Sequence, residues 1–225
     1  MRRALVLLVA VTLLLGACGS SNVDAARLLR DAGTAMKAIK TVQLDATFGP
    51  GAKLGEYTLA SASGRVKLPT DSELVGSVKQ GDSVFRVSVL TYGSDTYLKA
   101  SILPYTRLTA EEAMSYPSAA KLLNPDTGLP SVIGDGKNAT VDGTESVDGK
   151  DSYKVSAEYP PEALAKPLAP FQVTGPIKAT LWIGKDDSLV RRVRISGHIF
   201  DATTDTFIEV AFHDFNGPVE IQNPG

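Results

Sequence analysis

One cysteine, two histidines and one tryptophan are all that this 225-residue chain holds of three residue types that often carry chemistry. A single cysteine cannot close an intramolecular disulfide, and no Cys/His cluster exists from which to build a zinc site. A basic surplus is missing too. Lys plus Arg number 23 against 25 Asp plus Glu, a formal net charge of −2, which argues against nucleic acid because phosphate binding needs excess cation. Aromatics make up only 7%. A serine-hydrolase elbow, a phosphate-binding glycine loop and calcium-loop spacing are all absent. Gly81-Asp82-Ser83 falls in a hairpin turn, and the acidic residues Asp142, Glu145, Asp148 and Asp151 fit a solvated hairpin edge. His198 and His213 could each act as a base in principle. They sit on late strands among apolar neighbours, without a cysteine or an obvious serine partner, so ordinary strand roles are expected. No catalytic residue, metal or cofactor is assigned.

What is present begins with the cysteine's position. Arg2 and Arg3 open the chain, an apolar run over residues 4–15 is broken only by Thr12, and Gly16 and Ala17 stand directly before Cys18. This is the three-part layout of a secretory signal peptide. The run has 12 residues, whereas a spanning helix needs about 20. Leu15-Gly16-Ala17-Cys18 resembles the bacterial lipobox, in which the thiol receives a diacylglyceryl group and cleavage before it leaves the cysteine as the first mature residue. Residues 1–17 are therefore expected to be a removed signal, 18–22 a lipidated tether, and 23–225 one domain. Without Arg2 and Arg3 the mature chain carries 21 basic and 25 acidic residues, a net of −4. Two acyl chains make membrane anchoring stable.

The mature chain reads as helix, meander, irregular middle, then strands. Leu28, Ala32, Ala35, Met36 and Ile39 form one apolar stripe at helical spacing, with Asp24 near the start and Lys37 and Lys40 near the end. From Val42 the period shifts toward two. Strands are expected over 42–46, 56–68, 74–78, 84–90 and 96–99, with turns at Gly81-Asp82 and Gly93-Ser94. Thr109-Ala110-Glu111-Glu112 matches a capping box. Asn124-Pro125-Asp126-Thr127-Gly128-Leu129 is a turn. Strands resume over 139–146, 152–157, 177–183, 189–199 and 206–215, with a short helix expected from Pro160-Pro161 through Leu168. No repeat or long linker interrupts this, so an α+β domain follows, a sheet with helices on one side.

Alternation sorts the first strands into faces. Ala60, Ala62 and Gly64 share one; Leu74, Gly76 and Val78 another; Phe85, Val87 and Val89 a third. Small residues beside larger apolar ones serve either close packing or a space for an apolar ligand. Pattern alone favours close packing, because interiors normally fill, and leaves the ligand space as the alternative.

Three segments resemble the LppX/LprAFG lipoproteins of mycobacteria and their relatives. Leu122-Leu123-Asn124-Pro125-Asp126-Thr127-Gly128-Leu129 is similar to the family's central signature. Ala179-Thr180-Leu181-Trp182-Ile183, a turn and Leu189-Val190 are similar to its late Trp-bearing strand pair. Phe212-His213-Asp214-Phe215-Asn216-Gly217-Pro218-Val219 is similar to its closing strand and tail. The resemblance implies a strongly bent antiparallel half-barrel with helices on the concave face, similar to the LolA/LolB carriers, enclosing an apolar cavity that takes acyl chains of glycolipids or triacylglycerols. It places Val78 at a cavity-facing position. Phe85, Val87 and Val89 are added by alternation, and the small residues Ala60, Ala62 and Gly64 as positions that leave room for lipid. The implied role is an anchored carrier moving lipid across the cell envelope, with a membrane lipid exporter as a further partner. An envelope adaptor or assembly factor with a filled core is the alternative, and a hydrolase using His198 or His213 a third.

Overall fold

The computed structural model describes residues 23–225. The expectations of a signal peptide over 1–17 and of lipidation at Cys18 lie outside the described residues. Helix α1 spans Ala25–Lys37. The Asp24 carboxylate caps it by accepting from the Arg27 amide at 3.1 Å, which satisfies one of the free N–H groups of the first turn. Its buried stripe is Ala25, Leu29, Ala32, Gly33 and Met36, continued by Ile39 beyond the helix. The helix is thus rotated slightly from the expected face: Leu29 rather than Leu28 enters the core. Gly33 permits a close approach, since a Cβ there would stand 3.2 Å from the Pro130 carbonyl oxygen.

Twelve strands follow, all pairing antiparallel in one sheet. They are β1 (Thr41–Phe48), β2 (Lys53–Leu54), β3 (Tyr57–Lys67), β4 (Asp71–Gln80), β5 (Ser83–Tyr92), β6 (Asp95–Ala100) and β7 (Thr106–Arg107), then β8 (Lys137–Val147), β9 (Lys150–Tyr159), β10 (Ile177–Gly184), β11 (Val190–His198) and β12 (Asp205–His213). Between the two groups lie α2 (Ala110–Ala113), α3 (Ala119–Leu122) and α4 (Leu129–Val132), and α5 (Pro161–Ala165) follows β9. The capping box forms as expected, with Thr109 and Glu112 bonding reciprocally. The two-residue strands β2 and β7 carry too few residues for any alternation to reveal them.

The strand order is β7-β6-β5-β4-β3-β1-β12-β11-β10-β9-β8, with β2 beside β3. Two meanders therefore flank β1, which pairs with β3 on one side and with β12 on the other. The result is the expected curved, open, antiparallel sheet with its helices on the inner face. Period-two burial explains the inner face: Val42, Leu44 and Ala46 on β1 and Thr206, Ile208, Val210 and Phe212 on β12 are buried in strict alternation.

The two halves are filled differently. On the half from β8 to β12, Val155, Ile177, Leu181, Ile183 and Ile195 pack in a core with Leu29 and Met36 of α1. A 13-residue helix is about 20 Å long and covers that half. The other half is covered by short pieces, the four-residue helix α3 touching β3 and β4 and the four-residue α2 touching β6. The shorter cover leaves a space.

Candidate lipid-binding cavity

That space is a cavity of about 240 Å³ between the inner face of β1 and β3–β6 and the 116–129 segment. A water occupies about 30 Å³ in the liquid, so this is no ordinary packing defect. At about 24 cal/mol per Å³, a sealed and empty apolar void of this size would cost on the order of 6 kcal/mol. The cavity is instead open: Tyr57 and Ala100 belong to its wall and are exposed.

Its floor is the strands. Leu44, Ala46 and Phe48 come from β1; Leu59 and Ala62 from β3; Leu74, Gly76 and Val78 from β4; Val87 and Val89 from β5; Leu98 and Ala100 from β6. The far wall adds Val193 and Ile195 of β11 and Ile208, Val210 and Phe212 of β12. Tyr116, Leu122 and Leu129 form the lid, while Leu168 and Phe171 close one side. Among the described residues no charged side chain lines it. The Ser118 hydroxyl, at the end away from Tyr57, accepts from Thr91 Oγ1 at 3.1 Å, so its polarity is already satisfied. Such a wall can solvate a hydrocarbon chain, its polar side chains being the hydroxyls of Tyr57, Ser61, Tyr116 and Ser118. A second cavity of about 40 Å³ lies beside it under Met36 and Leu164, and shares Leu129, Val193, Ile195 and Phe212 with the larger one.

The positions singled out in the sequence divide. Val78, Val87, Val89 and Ala62 stand in the wall. Ala60 does not. Leu59 pairs with Val78 and the next pair is Ser61 with Ser77, so Ala60 is the extra residue of a bulge. A bulge shifts the alternation by one, which turns Leu59 inward in its place. Gly64 is buried but lies under packed side chains: a Cβ there would come within 2.7 Å of Leu74 Cδ2 and 3.3 Å of Leu44 Cδ1. It belongs to the core, not to the cavity. Phe85 pairs with Val78 and shares its face, but is 37% exposed and sits on the rim beyond the wall. Gly76, Leu74 and Leu59 are among the wall residues that were not candidates, as are those of β1, β6, β11 and β12. The first two could have been found, because they alternate with Val78. Leu59 was hidden by the bulge.

The Leu122 to Leu129 segment is the turn that builds the lid. Asn124 Oδ1 accepts from the amides of Asp126 and Thr127 at 3.0 and 3.1 Å and from the Thr127 hydroxyl at 3.2 Å. Gly128 is required by space: a Cβ would lie 2.4 Å from the Leu122 carbonyl oxygen and 2.7 Å from the Asn124 amide. This tight turn sets Leu122 and Leu129 over the cavity. Trp182 lies elsewhere. It packs on the outer sheet face between Lys154 and Arg192, 5.4 and 5.2 Å from its ring centre, and donates to Glu145 at 2.8 Å. The closing segment anchors the tail, with Asn216 Oδ1 accepting from the Lys40 amide at 2.8 Å and the Thr41 hydroxyl donating to the Gly217 carbonyl at 2.6 Å.

Both histidines stand outside the cavity wall. His198 faces Asp205 at 3.4 Å. His213 sits between Asp45 and Asp214, at 3.2 and 3.1 Å. Partial burial disfavours its charged form, but the hydrogen bonds to Asp214 and Asp45 outweigh this and raise its pKa above the ordinary 6.5. On the outer face Glu73 is partly buried, which works against its charge. Hydrogen bonds from Arg65 and Tyr105 prevail and lower its pKa. Burial and the Glu73 carboxylate push the Tyr105 hydroxyl up to about 12.

A family of LppX_LprAFG lipoproteins matches residues 24–221. Among curated proteins, the chain is similar to the lipoarabinomannan carrier protein LprG of Mycobacterium tuberculosis strain H37Rv, with 30% identity over 169 residues, 71% of this chain and 66% of that protein. It is also similar to LprG of Mycolicibacterium smegmatis, with 28% identity over 127 residues, 53% of this chain and 52% of that protein. The matched part thus spans between about half and two thirds of those relatives' length. Among solved structures, LprF from Mycobacterium bovis superposes with a TM-score of 0.70 at 23% identity, covering 89% of this chain and 96% of that one. LppX from Mycobacterium tuberculosis gives 0.62 at 21% identity, covering 88% and 98%. At such identities the two structures speak for the fold.

Proposed function

We propose a function on this premise: the chain belongs to the LppX_LprAFG lipoprotein family. The protein is a lipid-binding carrier that takes acyl chains of glycolipids or triacylglycerols into the cavity and moves them across the cell envelope. The observation that carries this reading is the open, uncharged cavity of about 240 Å³, a volume that a filled-core adaptor would not keep. The carrier names of the LprG relatives support it. Acyl chains would lie against Val78, Val87, Val89 and Ala62, together with Leu59 and Gly76, while polar headgroups stay at the mouth near Tyr57. Moving a chain from a bilayer into an apolar cavity exchanges one apolar surrounding for another. The small free-energy difference suits a protein that must load and also release.

Acylated Cys18 would tether the domain to the outer side of the cell membrane, and a membrane lipid exporter would be the partner that receives or supplies the cargo. The test is native mass spectrometry of residues 23–225 produced in the host envelope, with uptake of a labelled glycolipid by wild type and Val78→Trp. Bound lipid in the wild type, and uptake reduced about tenfold or more by the indole placed in the wall, is the expected result. Lipid-free wild type that also takes up no labelled glycolipid would overturn the reading.

A further inference from the structure

We infer that the β6–β7 loop, residues 101–105, is a docking tip that inserts into a lipid bilayer and presents the cavity mouth to it; this rests on the carrier reading above. Ile102 is 96% exposed and Leu103 60%. Single exposed aliphatics are unremarkable on a protein surface, but these two are consecutive and have company. The β2–β3 turn, the β4–β5 hairpin and this loop all lie at one end of the sheet, as the pairings Leu54–Tyr57, Gln80–Ser83 and Val87–Ala100 require. At that same end Tyr57, Val84 and Phe85 are exposed. Tyr57 and Ala100 also belong to the cavity wall, so the apolar tip and the mouth are continuous.

The loop is held with its aliphatic side chains outward. Ser101, at φ +53°, donates its amide to the Arg86 carbonyl at 2.8 Å, and the Leu103 amide donates to Ala100 at 3.1 Å. Tyr105 fixes the other side by donating to Glu73 at 2.9 Å, with Lys99 over its ring. An open apolar cavity adjoins Ala100, yet Ile102 and Leu103 stay out of it. Burial of such side chains is the normal outcome, and here a bilayer supplies it.

Charge and tether agree. Lys53 lies opposite Thr58, Thr58 opposite Lys79, and Arg86 opposite Ser77. With Lys99 they bring four cations to the β3–β6 side of this end, where Glu56 and Asp82 are the acids, while Asp201 and Asp205 stand at the β11–β12 loop farther along the same end. Anionic headgroups attract basic side chains beside an inserted apolar segment. Helix α1 starts toward the same end, since Leu29 packs at Gly136, just before β8, whereas Lys40 leads into the opposite end of β1. Six residues lead from Cys18 to Asp24, so an anchored chain would hold the mouth near the membrane.

The test compares residues 23–225 as wild type, as Ile102→Ser/Leu103→Ser and as Tyr92→Ser, a partly exposed aromatic at the other end of β5. Each protein is first matched to wild type in thermal unfolding. Sedimentation with vesicles of equal parts phosphatidylcholine and phosphatidylglycerol reads docking, and uptake of a fluorescent long-chain fatty acid below its micelle concentration reads the cavity. The double variant is expected to bind vesicles about tenfold or more weakly while taking up fatty acid like the wild type, and Tyr92→Ser to match the wild type in both. Equal vesicle binding by wild type and the double variant overturns the docking tip. So does a wild type that takes up fatty acid but ignores vesicles, even if an envelope protein binds the loop. Absent fatty-acid uptake in a wild type that is also lipid-free and takes up no labelled glycolipid overturns the carrier reading instead.

Discussion

Gly76 on β4 stands directly opposite Val87 on β5, and a Cβ placed on Gly76 would meet nothing nearer than the Ser61 and Val87 carbonyl oxygens at 3.8 Å. The missing side chain is therefore not demanded by packing. It leaves the middle of the cavity floor clear. Gly76→Leu should weaken fatty-acid binding by about tenfold or more, because the new side chain occupies the volume a ligand would fill. Glycine weakens a strand interior, so the melting temperature should stay level or rise. Fluorescence titration and thermal unfolding on one preparation check both halves.

Wall and core should respond differently to truncation. Ile183 is wholly buried and Val87 faces the cavity. Ile183→Ala removes contacts from all sides and leaves a void, at a cost of about 2–5 kcal/mol. Val87→Ala only widens a space that already exists and should cost less than ~1 kcal/mol, because contacts are lost on fewer sides. Urea unfolding distinguishes these values.

The lid turn should tolerate no side chain at Gly128. Its neighbours there are backbone atoms of Leu122 and Asn124, which cannot move aside as a flexible side chain would. Gly128→Ala should destabilise the protein by about 1–3 kcal/mol and displace Leu122 and Leu129 from the cavity. Changes of the Leu122 and Leu129 methyl resonances, together with reduced stability, would show it; wild-type spectra would refute it.

His213 joins β12 to β1 through Asp45, and its pKa is raised by its two carboxylate partners against the opposing effect of burial. A pKa raised on folding stabilises the protein when the group is protonated. The contribution is complete below the unfolded value of 6.5 and is lost as pH rises through the folded value. His213→Gln should therefore lower the melting temperature more at about pH 5 than at about pH 8. Solvent exposure keeps the effect small. A difference independent of pH would refute it.

The helix and most of the ten longer strands were legible because they repeat their apolar residues at their own period over several turns or pairs, whereas β6 and the largely exposed β8 show through the turns that bound them. The capping box at Thr109 and the turn around Asn124 were legible because their chemistry is local. The wall positions were legible only in part. Val78, Val87, Val89 and Ala62 follow alternation into the wall, whereas Ala60 fails because a bulge breaks the count at Leu59. Gly64 fails because Leu74 and Leu44 lie over it, and Phe85 because β5 runs past the cavity to its rim.

By itself the sequence determined an alternating antiparallel chain preceded by one helix, with its single cysteine placed in a lipobox-like leader, and it excluded a basic nucleic-acid surface. Periodicity states which side of a strand is apolar, and it is silent on how much matter stands across from that side. Alternation alone favoured close packing, because interiors normally fill, and left an apolar space as the alternative. Only the tertiary structure decided between them, by laying the 13-residue α1 over one half of the sheet and the four-residue α3 over the other. The volume left between the longer strands and their shorter cover depends on contacts far apart in the chain, and no local pattern records it.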